Sequence, residues 1–191
     1  METSASGSEG VHERSDTAAG FVRDATAADA SAVAAIQSEC WSHDFDWPTQ
    51  VLTEFGHHDP EMQWARAVIA PPGPGHRLIV ATQGSMVVGF AALAPSGDAD
   101  AQARDIEIVV WEVRPEFRRR GHGSRLLAAV ADHARSIGAD TLTIWIATAD
   151  DPRRNLLREA GFDADGAHRT LQMDNDESDM TLRQIRLVSG I

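Results

Sequence analysis

Between Val113 and Arg125 the chain reads Val-Arg-Pro-Glu-Phe-Arg-Arg-Arg-Gly-His-Gly-Ser-Arg. Small side chains such as Gly121 and Gly123 let a backbone approach a ligand closely. Downstream, Leu126, Leu127, Val130, Ala131, Ala134 and Ile137 recur at helical spacing. Upstream, Ile106-Glu107-Ile108-Val109-Val110-Trp111-Glu112-Val113 is too rich in β-branched residues for a helix and reads as a strand. The glycines therefore sit in a strand-to-helix turn. The first amides of a helix have no intrahelical acceptor and carry the positive end of its dipole. Such a turn holds a phosphate or pyrophosphate. The arginines add charge: Arg114, Arg118, Arg119, Arg120 and Arg125 stand against Glu116 alone.

The rest of the chain is acidic, with a formal net charge of −12 over 191 residues. Affinity for a nucleic-acid backbone comes from cations, so the basic turn suits a small anion better than a duplex. All 17 basic residues are arginine. Without lysine there is neither a Walker A loop nor Schiff-base chemistry. No Gly-x-Ser-x-Gly occurs, so a hydrolase elbow is not supported. His57-His58-Asp59 lacks further spaced ligands and reads as a surface loop, and no metal is expected. Cys40 is the single cysteine. It allows no internal disulfide, suits a reducing compartment and reads as a small core residue. No apolar run approaches the ~20 residues of a membrane span, and the N-terminus lacks a signal-peptide core. The expectation is a soluble, cytoplasmic protein of one domain.

The elements that must position the turn follow from pattern. Residues 1–20 are rich in Ser, Gly, Ala, Glu and Thr and are expected to form a disordered tail, with a single domain over 21–191. Phe21-Val22-Arg23 starts an edge strand. Thr26 or Asp29 caps a helix with Ala32, Val33, Ile36 and Cys40 inward. Pro48 opens a second helix, Thr49 to Phe55, and Pro60 a third through Met62, Trp64, Ala67 and Val68. His76 to Thr82 and Met86 to Leu93 form a hairpin around Gln83-Gly84-Ser85. The central strand, from about Arg104 to Val113, and its helix follow. Thr141 to Ala147 is a strand buried on both faces. Pro152 to Ala160 is a short helix. Gly166 to Met173 and Thr181 to Val188 are the last strands, joined by an exposed acidic loop over 174–179. The order predicts a mixed α/β domain with a partly parallel sheet.

At this point the chain is similar to the GNAT superfamily of N-acetyltransferases. Arg118-x-x-Gly121-x-Gly123 matches that family's cofactor motif, (Arg/Gln)-x-x-Gly-x-(Gly/Ala), with Val113, Pro115 and Phe117 ahead of it. Ala160-Gly161-Phe162 matches the Gly-Phe that closes the family's next strand–helix unit. The resemblance covers about Phe21 to Val188. It implies a seven-stranded mixed sheet flanked by helices and splayed between the fourth and fifth strands, with acetyl-CoA as co-substrate in the gap. By position it implies that Trp111 and Val113 border the cofactor, Val113 through backbone hydrogen bonds to the pantetheine arm. It also implies that Arg118, Arg119, Arg120, Gly121, His122, Gly123 and Ser124 form the pyrophosphate turn. Arg125 reads equally as a phosphate ligand or a helix-surface residue.

Glu107 falls where family members often place a general base. An amine is protonated at neutral pH and must lose a proton before it attacks a thioester. A carboxylate beside an apolar strand has a raised pKa that suits the task. Glu112, on the opposite face by strand alternation, is the weaker candidate. Where many members carry a proton-donating Tyr this chain has Leu157, and it has no Tyr at all. Asp150 stands at the place of the family's usual Asn. No general acid is assigned.

The implied reaction is acetyl transfer to a primary amine of a small molecule or peptide. The missing Tyr keeps open a non-catalytic acyl-CoA-binding module. A dinucleotide-binding oxidoreductase domain is a further alternative. It is disfavoured because the third glycine of Gly-x-Gly-x-x-Gly is replaced by Leu126, and because the glycines lie too far past the strand. No nucleic-acid or membrane partner is implied, and a homodimer is allowed. Trp41, Asp44, Phe45, Asp46, Trp47 and Trp64 bring acids and aromatics to the region where the family builds its acceptor pocket. They would suit a cationic amine, although the tryptophans read first as core.

Overall fold

Among the described residues, the buried apolar side chains lie in one sheet or against it. The computed structural model describes residues 20–45, 59–175 and 178–191. The expected tail lies outside these residues except for Gly20, which is the first residue of a strand. The expected helix over 49–55 and the pair His57-His58 also lie outside them.

In chain order the elements are β1 (Gly20–Asp24), a 3-10 turn (Ala27–Asp29), α1 (Ala30–Asp44), α2 (Pro60–Ile69), β2 (Arg77–Gln83) and β3 (Met86–Pro95). They continue with β4 (Asp105–Val113), a second 3-10 turn (Pro115–Phe117), α3 (His122–Ser136), β5 (Thr141–Ala147), α4 (Asp151–Glu159), β6 (Asp163–Asn175) and β7 (Ser178–Gly190). The seven strands form one sheet in the order β1-β2-β3-β4-β5-β7-β6. The β4–β5 pair is parallel, and the other neighbours are antiparallel. Among the described residues no helix is long and apolar enough to cross a membrane.

Period-2 alternation splits the core into two layers. On one face Leu78, Val80 and Phe90 meet Val33, Ile36 and Cys40 of α1. On the other, Ile79, Ala81, Ala91 and Ile108 meet Leu126, Leu127 and Val130 of α3 and Leu157 of α4. Burial on both faces explains why β2 and β3 read as continuous apolar runs. Asp29 fixes the entry to α1: its carboxylate accepts from both Arg23 amino groups at 2.7 and 2.8 Å and from the Thr26 amide at 2.7 Å.

One expectation is corrected at the far edge. Of the expected acidic loop over 174–179, residues 174, 175, 178 and 179 are strand, because the β6–β7 ladder runs on to Asp174–Asp179 and Asn175–Ser178. A hairpin ladder extends by backbone pairing, which charged side chains do not forbid.

Candidate functional site

Two features of the sheet create the site. The parallel ladder between β4 and β5 holds only from Asp105–Thr141 to Glu107–Thr143. Beyond it the strands part, while β5 stays paired with β7 as far as Ala147–Gln184. Immediately past the last parallel pair, β4 carries an extra residue. Ala92 pairs with Val110 and Leu93 with Ile108, leaving Val109 unpaired. A bulge of this kind bends its strand and increases its twist.

The bulge overturns one inference from alternation. Glu112 pairs with Phe90, and Glu107 with Ala94. Phe90 and Ala94 are an even number of residues apart on β3, so both glutamates lie on the α1 face of the sheet. The inserted Val109 cancels the inversion expected between positions an odd number apart. Glu112 is nonetheless already engaged. It is 4% exposed, and Arg153 at the start of α4 donates to both its oxygens. Glu107 is half-buried, and among the described residues no cation lies within salt-bridge distance of it. Burial pushes its carboxyl above the ordinary range, against the pull of Arg169, while Asp98 adds to the rise.

The turn after β4 is built from side chains far apart in sequence. Arg118 donates through Nε to the Val113 carbonyl at 3.0 Å and through both amino groups to Asp44, at the end of α1, at 2.6 and 2.7 Å. Arg153 adds a 3.0 Å bond to the same Asp44 carboxylate. Cys40 donates its thiol hydrogen to the Val113 carbonyl at 3.3 Å. Arg118 and Val113, both expected at the cofactor, therefore spend the guanidinium and the carbonyl inside the protein. What Arg118 does here is hold the turn, as a bidentate pair with a carboxylate does well.

The backbone of the turn is left open. Arg119 has φ +63° and Gly121 φ +80°. Left-handed residues among right-handed ones turn successive amides toward one side, and a non-glycine residue held there is strained in a way that clusters at ligand sites. Among the described residues no backbone carbonyl accepts from the amides of Arg119 through Ser124; the next amide, that of Arg125, starts the helical ladder on Gly121 at 3.1 Å. Arg119 and Arg120 are exposed and free of ion pairs among the described residues. Arg125 lies over the turn, donating to the Arg120 carbonyl and bonded to His122, both at 3.2 Å. His122 is a buried residue held by Gln83 at 3.2 Å, and burial keeps it below its ordinary pKa. Its side chain faces inward, leaving its amide to the turn.

Gly123 is needed for close packing. A Cβ there would stand 3.1 Å from Cζ2 of Trp111. Trp111 is 6% exposed, and its indole N–H is buried without a partner among the described residues. From Ser124 a groove of about 480 Å³ runs between α3 and α4, past Leu127, Ala131 and Leu156 to Phe162 and Ile191. Leu157 is fully buried in the core beneath it, so α4 offers no proton donor there.

Several features were not read from sequence. Trp145 of β5 donates to Asp98 at 3.2 Å. Arg169 and Arg186 stack on its ring, with Cζ at 4.4 and 5.7 Å from the centroid. Arg153 bridges α4, β4 and α1. No local motif marks these contacts. Of the aromatic residues expected near the acceptor, Trp64 belongs to the core, edge-on to Phe90 at 5.3 Å and donating to Gln37 at 3.0 Å. Asp46 and Trp47 lie outside the described residues. Among the described residues no group of three or more His, Cys, Asp or Glu side chains is arranged to hold a metal ion.

Cys40 has no role as a nucleophile in this arrangement. Burial, reinforced by Glu112, pushes its thiol up to about 12. The expected result is that iodoacetamide at pH 8 leaves the native protein unlabelled and labels it rapidly in denaturant. Equal labelling rates in the two states would show the thiol to be exposed.

Comparison with known proteins agrees with this geometry. The model of the acetyltransferase (GNAT) family matches residues 31–162. A mycothiol acetyltransferase of Kineococcus radiotolerans is 39% identical over 79 residues, which is 41% of this chain and 24% of that protein. This chain thus spans about a quarter of the length of that curated relative. An uncharacterized N-acetyltransferase of Bacillus subtilis is 25% identical over 146 residues, covering 75% of this chain and 90% of that one. The structure of an N-acetyltransferase from Thermoplasma acidophilum in complex with coenzyme A superposes with a TM-score of 0.67 at 13% identity, covering 91% of this chain and 99% of that one. The splayed sheet, the open turn at the start of α3 and the family match lead to one conclusion: the chain belongs to the GNAT family of acetyltransferases.

Proposed function

We propose that the protein transfers an acetyl group from acetyl-CoA to a primary amine of a small molecule or peptide, with Glu107 as general base. The observation that carries this reading is the junction of two features. The β4–β5 ladder ends at Glu107–Thr143, and β4 runs on from there into the turn whose left-handed residues Arg119 and Gly121 precede the helix. The residues present fit the cofactor's chemistry. Open amides and the cations Arg119, Arg120 and Arg125 suit a pyrophosphate. The indole N–H of Trp111, without a partner among the described residues, suits a polar chain passing over Gly123. A coenzyme A complex of a protein with this fold supports the same reading.

Acetyl-CoA would supply the acetyl group as a thioester. The chain's own part is to orient and to move one proton. Arg118 and Asp44 hold the turn in its open form. Glu107, half-buried and without an ion pair among the described residues, takes the proton of the acceptor ammonium, directly or through water.

A pair of variants tests the turn. Asn and Asp both tolerate the left-handed conformation of Gly121 better than most residues do, and they differ in charge. Gly121→Asp is expected to bind acetyl-CoA more than tenfold more weakly than Gly121→Asn, about 1.4 kcal/mol, when both are titrated calorimetrically. Equal affinities would remove the diphosphate from this turn. Tight binding without turnover of any amine would leave an acyl-CoA-binding module.

A further inference from the structure

On the α1 face of the sheet the described helices α1 and α2 pack on β2, β3 and β4. Arg169 begins on β6, the outermost strand. Its guanidinium crosses β7 and comes to rest 4.4 Å from the ring centroid of Trp145 on β5. Its Nε donates to Gln184 at 2.7 Å, which fixes the plane of the group. Arg186 on the same ring is saturated, with Asp98, Asp100 and Asp165 all in salt-bridge contact. Arg118 and Arg153 are likewise paired with Asp44. Arg169 differs. Among the described residues no carboxylate lies within salt-bridge distance of it, and its two amino groups make no hydrogen bond to a described residue. Of the cations near Glu107, it acts on that carboxylate most strongly.

A guanidinium stacked on an indole is held in place with little entropy left to lose. Its free edge presents paired donors that match a carboxylate. Glu107 pairs in register with Thr143, two residues before Trp145 and on the same face of β5, and presents the opposite charge. Asp44, the acid of the expected acceptor region among the described residues, is spent on Arg118 and Arg153. We propose that the acceptor is an amine bearing its own carboxylate, an amino-acid-like zwitterion. Its carboxylate lies on Arg169 and its amino group faces Glu107. This rests on Glu107 being the base of the proposed acetyl transfer, and it adds the class of the acceptor.

The test is a panel of free amino acids, their α-amides and the corresponding decarboxylated amines. Coenzyme A release is measured as kcat/KM for the wild type, Arg169→Gln and Arg169→Lys. The wild type is expected to favour amino acids over their amides at least tenfold. In Arg169→Gln that ratio falls toward one, chiefly through KM for the amino acids. Arg169→Lys, which keeps the charge and loses the fork, restores part of it. Calorimetric affinity for acetyl-CoA reports whether each variant is folded. Amides or amines used as well as amino acids would overturn the proposal, as would a preference that survives in Arg169→Gln or a failure to use any carboxylate-bearing acceptor. Failure of the wild type to bind acetyl-CoA would instead overturn the acetyltransferase reading itself.

Discussion

Replacing Glu107 by Gln is expected to lower turnover by ~10²–10⁴ near neutral pH, the usual size of a general-base contribution. The amide keeps nearly the same shape. The acid limb of the wild-type pH–rate profile is expected above the ordinary glutamate value of about 4.3, because burial raises this carboxyl. The variant should lack that limb, and its deficit should shrink at high pH, where the amine is already partly deprotonated. Stability should move the other way. A folded-state pKa above the unfolded one means that the folded protein binds the proton more tightly, so ionised Glu107 costs stability as pH rises through that range. Glu107→Gln should therefore melt at or slightly above the wild-type temperature at pH 7. Equal rates across the pH range would sink the base assignment. A large drop in Tm would show that the residue is structural.

Arg153→Met is expected to destabilise the fold by about 3 kcal/mol, the lower end of the range for breaking a buried ion pair. The lower end applies because the Arg153 side chain is 24% exposed, whereas that of Glu112 is 5% exposed. The loss comes from Glu112, which keeps its desolvation and loses its counter-ion. Burial already pushes its carboxyl up, and without Arg153 it rises further. The folded state then gains by holding a proton, so the deficit should be greatest at high pH and shrink as acid neutralises Glu112. Combining Arg153→Met with Glu112→Leu should recover most of the loss, because the uncompensated charge is gone. Urea unfolding of the wild type and the two variants at pH 5 and pH 8 measures this. A single variant within about 0.5 kcal/mol of wild type, the usual scatter of surface changes, would show that the network carries no stability.

What the sequence determined by itself is what local period and composition can encode. The apolar stripe from Leu126 to Ala134 specified α3 before any contact was known, because a helix repeats its face every 3.6 residues. The β-branched runs specified β2, β4 and β5 for the matching reason. The two glycines after a strand marked the turn, because the backbone there must reach left-handed φ and approach Trp111 closely. Only the tertiary structure decided how side chains distant along the chain converge. The face of Glu112 depended on one unpaired residue, Val109, which shows only in the register against β3. Arg118 reads only as the first position of the cofactor motif; that its guanidinium is paired with Asp44, 74 positions away, shows only in the fold. Arg153 meets the same carboxylate from 109 positions away. Trp145 and Arg169 read as ordinary strand residues until their strands are laid side by side around β7. Periodicity reports which way a residue faces within its own element. Whether a charge there is spent or free depends on which other elements the fold brings against it.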